Sequence, residues 1–324
     1  AAFNYFANGG ETLLVTRVVS GTFSPASTSG SAAADNGLTI NTTASANVQS
    51  FILETLSEGA IMNSSSSLDV SGSLESGSIN NVRWQILNSN TSQGTFDLLI
   101  RRGDDTTNNP IVLETWTNLS MDPTAPNYVA RVIGNQYKQY SSVDTQVVTY
   151  GEYPTNSKYV YVSSVLTPTP LYFDNNGLAK STYTGSLPAN ASGSFTGATG
   201  TLNTGVSANY NSAIVSGVSN TQGLTGSDYN NMLNLMSNAD DYRFNVLLTP
   251  GLFASEAALG ASQVNTIINN TMNRGDNIYV TDLVPYSSSI SAVTTQANAK
   301  NTSYAAAYWP WVQTIDPNTA QLVW

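Results

Sequence analysis

The sequence predicts an α+β chain of more than one domain, in which a β-rich block interrupts a layered α/β domain. Three observations predict it. From Ser227 to Leu283, helix and strand patterns alternate; between about residues 21 and 143, short β-prone runs succeed one another with turn residues between them; and a strand-like run, Thr12 to Val19, stands ahead of the block and fits the layered domain. Alternating helices and strands place a sheet at the centre of a layered domain, whereas short strands with frequent turns argue for a barrel or a sandwich.

The α/β stretch is the clearest. Ser227 or Asp228 can cap a helix on which Tyr229, Met232, Leu233 and Met236 fall at i, i+3, i+4, i+7. Asp240 and Asp241 follow its end. Phe244 to Leu248 is a short apolar run before Pro250, the pattern of a strand buried on both faces. Ser262 opens a second helix with Val264, Ile267, Ile268 and Met272 on one side and Gly275 just past its end. Asn277 to Thr281 is the next strand. Ile290, Val293, Thr294 and Ala297 define a further helix, and Tyr304 to Val312 a further strand.

In the β-rich block, strands are expected at Gly37–Asn41, Ser50–Leu56, Ile79–Leu87, Thr95–Arg101 and Ile111–Leu119, with Leu98, Ile100, Val112 and Trp116 in the core. Pro126 to Ile133 reads as a short helix, because Val129, Val132 and Ile133 share a face. Val147–Tyr150 and Lys158–Val165 are strands beyond the block. Ser181 to Gly226, rich in Gly, Ser, Thr and Asn, reads as a long irregular surface segment.

Composition narrows the function. Only 10% of the 324 residues are charged, against ~25% in ordinary soluble domains. Such a surface suits extended contact between subunits. The net charge of −10 repels phosphate backbones, so no direct nucleic-acid partner is expected. No apolar run reaches the ~18 residues of a spanning helix, so no membrane insertion is expected. Cysteine and histidine are both absent, which removes disulfides, thiolate metal sites and the usual bases that activate serine. The chain starts within a helix-like stretch and stops within a strand-like one, as an internal fragment of a longer protein would.

Carboxylate pairs, lysine and oxygen-only metal sites are the chemistry left. Asp104–Asp105 and Asp240–Asp241 are adjacent in sequence, so they point apart rather than across a scissile bond; a solvated turn and a helix end explain them. Asp104, Asp105, Asn108 and Asn109 lack the spacing of a calcium loop. Asp174-Asn175-Asn176-Gly177 is a turn signature. Arg102-Gly103-Asp104 and Arg274-Gly275-Asp276 both spell a receptor-adhesion tripeptide, with the glycine where an element must end. Sequons begin at Asn41, Asn63, Asn90, Asn118, Asn190, Asn269 and Asn301, as chance allows in so Asn-, Ser- and Thr-rich a chain. Tyr304, Tyr308, Trp309 and Trp311 form an aromatic tract better suited to packing than to stacking sugars. No catalytic, cofactor-binding or metal-binding residue is assigned.

Three segments carry a family resemblance: NYFANGGETLLVTRV (Asn4 to Val18), FDLLIRRGDDTTNNPIVLETWTNLSMDPTAPNYVARVIG (Phe96 to Gly134) and SYAAAYWPWVQTIDPNTAQLVW (Ser303 to Trp324). In this order and spacing they resemble the contractile tail sheath proteins of T-even-type myophages. The resemblance implies a β-barrel domain, residues 21–143, inserted into an α/β two-layer sandwich domain, residues 1–20 and 144–310. It also makes 311–324 the start of a truncated C-terminal domain. It implies a structural, non-enzymatic virion protein without cofactor. Its partners would be copies of itself in helically stacked hexameric rings, the tail tube, the baseplate and the tail terminator. Two other classes remain open at this point: a surface adhesin or carbohydrate-binding β-rich protein, and a glycan-cleaving enzyme with paired carboxylates.

Overall fold

The computed structural model describes residues 2–19, 21–28, 49–200, 224, 226–256, 260–317 and 319–323, with Phe3, Asn4 and Ser227 described by backbone alone. The strand expected at Gly37–Asn41 lies outside the described residues. In chain order the elements are α1 (Ala2–Ala7), β1 (Pro25–Ser27), β2 (Phe51–Glu58), β3 (Val82–Asn90), β4 (Thr95–Arg102), β5 (Val112–Ser120) and α2 (Val129–Val132). Then come β6 (Tyr137–Ser141), β7 (Gln146–Tyr150), β8 (Val160–Val165), α3 (Ser181–Thr184), β9 (Ala191–Ser194), α4 (Asn230–Ser237) and β10 (Val246–Phe253). The chain continues through α5 (Gly260–Arg274), β11 (Ile278–Asp282), α6 (Ile290–Asn298), β12 (Ala305–Ala306), β13 (Thr314–Ile315) and β14 (Leu322–Val323). Contacts divide it into two compact units: residues 22–139 with 148–201, and residues 1–21 with 140–147 and 202–324.

The first unit holds two open antiparallel sheets, β1-β2-β8 and β5-β4-β3-β9. Strand alternation builds its core. Phe51 and Leu53 of β2, Trp84 and Ile86 of β3, and Phe96, Leu98 and Ile100 of β4 are buried, and Phe51 stacks on Phe96 at 5.7 Å. On one side a Ser27–Thr196 bridge links the sheets. On the other side β5 and β8 do not meet. The segment around α2 lies along both edges instead. Ser120 N donates to the Asn127 carbonyl at 2.9 Å and Val162 N to the Gly134 carbonyl at 2.9 Å, while Val129 and Ile133 are fully buried.

The expected barrel is therefore absent, and the fold class is corrected to several small open sheets. Where the two edges would meet, Ser120 and Val162 are instead bonded to the segment around α2. Val112 is exposed rather than in the core because β5 is an edge strand, whereas Leu98 and Ile100 are fully buried. Ser181 to Gly200 is not irregular surface: β9 pairs with β3, and Leu187, Ser194 and Phe195 are buried. Residues 201–223 lie outside the described residues.

In the second unit β10, β11 and β12 form a parallel sheet in sequence order, joined by α5 and α6. Met232, Leu233 and Met236 of α4 and Val264, Ile267 and Ile268 of α5 form one core with Tyr279 of β11. Gly275 ends α5 in the left-handed region at φ +71°, its N–H bonded to the Thr271 carbonyl at 2.9 Å. Several expectations need correction. Met272 is exposed, and Thr271 takes the buried position. The strand expected at Phe244–Leu248 starts later and runs through Pro250, past a register shift between Leu248 and Phe253. It is not buried on both faces: Val246 and Leu248 are half exposed.

Thr12–Val19 forms no strand among the described residues and Val15 is 75% exposed. Propensity alone does not make a strand; a partner edge must supply the ladder hydrogen bonds. The strand expected over Tyr304–Val312 shrinks to Ala305–Ala306. The last residues form a hairpin, Thr314 opposite Val323 and Ile315 opposite Leu322.

Candidate functional site

The carboxylates singled out in the sequence do not converge on a substrate. Asp105 is buried rather than in a solvated turn. Arg83 and Arg101 are direct cross-strand partners, a like-charge pairing that is unfavourable by itself. Asp105 lies between them. Its carboxylate accepts from Arg101 Nε at 2.7 Å and Nη2 at 2.9 Å, from Arg83 Nη1 at 3.4 Å and from Ile111 N at 2.8 Å. Gln85 Oε1 accepts from Arg101 Nη1 at 2.9 Å. Burial, and then the neighbouring Arg101 charge, lower the Arg83 pKa against the pull of Asp105. The knot is a buried structural staple with all of the Asp105 charge committed.

Both adhesion-type tripeptides are closed on themselves. Asp104 is ion-paired with Arg102, and Asp276 with Arg274 at 2.9 Å. Arg274 also donates to the carbonyls of Met236 at 2.7 Å and Tyr242 at 2.8 Å and lies over the Phe244 ring at 4.3 Å. It thereby ties the end of α4 to the end of α5. Asp240 and Asp241 sit in an exposed turn held by Asn238. Asp174 accepts from Asn176 N and Leu178 N, and Gly177 completes the turn at φ +76°. Of the aromatic tract, Trp311 packs on Phe253 and Tyr286, while Tyr308 is exposed.

The arrangement with the form of a site lies elsewhere, in the β-rich unit. A cleft of about 880 Å³ runs between the Glu54–Glu58 part of β2, the segment leading into β1, and the start of β6. Its wall is fixed by an aromatic stack. Tyr137 lies between Tyr150, at 5.4 Å, and Tyr161, at 5.2 Å, with both pairs nearly parallel. The Tyr161 hydroxyl donates to Glu54, whose other oxygen accepts from Ser163 Oγ at 2.9 Å. Burial first, and then the Glu54 carboxylate, hold the Tyr161 hydroxyl far above the usual phenol range, so it stays a donor. Among the described residues, the side chains of Glu58, Lys138 and Gln139, which also line the cleft, have no hydrogen-bond partner.

Sequence reasoning missed this cleft. One signal was present: in β2 the buried residues Phe51, Leu53 and Thr55 alternate with Glu54 and Glu58, which places both carboxylates on the opposite face. Nothing local announces that β6 and the segment before β1 flank that face. Among the described residues no group of three or more acidic side chains could hold a metal ion, and no helix is long and apolar enough to cross a membrane. No family model matches the chain, and no curated protein matches it.

Proposed function

We propose that the chain is a structural subunit of a contractile phage tail sheath. On this reading many copies stack as hexameric rings around a tail tube, and head-to-tail contacts that do not close generate a helix. The baseplate and the tail terminator bound that helix, and the copies shift together to drive genome ejection through the host envelope. Assembly takes place in the host cytoplasm and the product resides in the virion. The work is mechanical and uses no enzymatic step or cofactor.

The observation that carries the reading is apolar surface left uncovered among the described residues. On one face of the parallel sheet, Val246 and Ile278 are cross-strand partners and both are exposed, with Leu248 half exposed beside them. Val15, Tyr308, Val312 and Leu322 are exposed near the two ends of the sequence. Monomeric proteins keep such patches small, and subunits cover them with neighbours. The low charge content fits the same reading.

Electron microscopy of the full-length product tests the proposal. Rings or tubules are expected, and Leu248→Asp is expected to abolish them while circular dichroism stays unchanged. A product that remains monomeric at high concentration overturns the reading.

A further inference from the structure

We infer that the cleft of the β-rich unit is a binding site for a neutral, hydroxyl-rich ligand, a short oligosaccharide. The inference does not depend on the assembly reading. Its volume of about 880 Å³ lies in the range of small-molecule sites. The lining decides the chemistry. Glu54 is held in place by Tyr161 and Ser163, and the stacked tyrosines make that wall rigid. A site whose polar groups are fixed in advance pays less ordering entropy on binding.

Beside this fixed carboxylate stand three side chains with free hydrogen-bonding capacity among the described residues: an acceptor, Glu58; a donor, Lys138; and an amide that does both, Gln139. Each sugar hydroxyl donates and accepts at once, so one polyol can satisfy all three. An apolar ligand would strip water from these groups without replacing it. An anionic ligand would meet two carboxylates against one ammonium. Phe23, Pro25, Leu56 and Pro154 supply apolar lining for the C–H faces of sugar rings.

The test is binding of the intact chain to an array of neutral, sialylated and sulfated glycans, with polyamine and peptide arms alongside. Selective capture of neutral glycans is expected. Glu58→Gln and Gln139→Ala should each weaken it about tenfold, the loss of one or two good hydrogen bonds. Val70→Ser, at a fully exposed site outside the cleft, should change nothing. The Glu58 side chain is exposed, so its replacement leaves the core intact, and circular dichroism checks this. Capture of only anionic glycans, polyamines or peptides, no capture at all, or capture insensitive to both variants overturns the inference. None of these results bears on ring formation, which is read separately by microscopy.

Discussion

The two units solve burial differently. In the β-rich unit two sheets share one core between them, and even the far face of β3 and β4 carries a buried ion-pair knot at Asp105. In the α/β unit a three-stranded sheet is covered by helices on the Tyr279 side, while Val246, Leu248 and Ile278 stay exposed on the other. The contrast teaches that covering one face of a sheet does not secure the other. The first unit buries its strands against a shared core, with Leu56 and Val112 left exposed. The second leaves an apolar face that only something outside this chain's described residues can cover.

The largest effect that would sharpen the contrast is expected at Asp105. Asp105→Asn leaves two buried guanidiniums without a counterion, and breaking such a pair costs about 3–5 kcal/mol. Urea unfolding followed through the tryptophans should show the Trp84 transition move and the Trp311 transition stay. Movement of both together would break the two-unit description.

Next is a pair of substitutions on opposite faces of the α/β unit. Ile267→Ala, in the buried face, should cost about 2–5 kcal/mol by thermal or urea unfolding. Leu248→Ala, on the open face, should stay within about 0.5 kcal/mol in the monomer. Equal costs would mean the open face is covered within the monomer. Smaller again is Ser289→Ala. Its hydroxyl caps α6 by accepting from Ala292 N at 3.2 Å, and its loss should cost about 1 kcal/mol in the α/β transition only.

The smallest difference is in pH, and the units should differ in sign. At Asp122, in the β-rich unit, burial raises the pKa, but hydrogen bonds from Thr124, Tyr172 and Leu171 more than offset it and bring it below the ordinary 3.8. Its contribution is present above 3.8 and is lost as pH falls through the lowered value. At Asp282, in the α/β unit, burial raises the pKa above 3.8, against a weaker hydrogen bond from Gly251. There the folded state favours the protonated acid, so stability is lost as pH rises through the raised value and regained as pH falls toward 3.8. Asp276, lowered by Arg274, acts only below 3.8 and leaves that upper window clear. Acidification from about pH 7 toward 3.8 should thus raise the midpoint of the α/β transition. Asp282→Asn should remove that rise; a rise that survives the substitution refutes the assignment.

What could be read in advance followed local rules. The strands at Phe51–Glu58 and Thr95–Arg102 and the helix at Gly260–Arg274 lie where β-prone runs between turn residues, 3.6-residue spacing and a terminal glycine put them. The Glu54 cleft was out of reach, because its walls come from segments far apart in the chain. The Asp105 knot was hidden for a similar reason: an Asp-Asp pair in a turn looks solvated until the register sets Arg83 against Arg101.

The sequence alone therefore determined the elements whose cause is local, and it removed histidine and cysteine chemistry outright. Tertiary structure decided what each edge and face meets. It left β5 and β8 apart, with Ser120 and Val162 bonded to the segment around α2, and it gave Thr12–Val19 no sheet partner among the described residues. A strand's propensity is carried by its own residues, but its pairing is a property of two segments that the sequence does not bring together by itself.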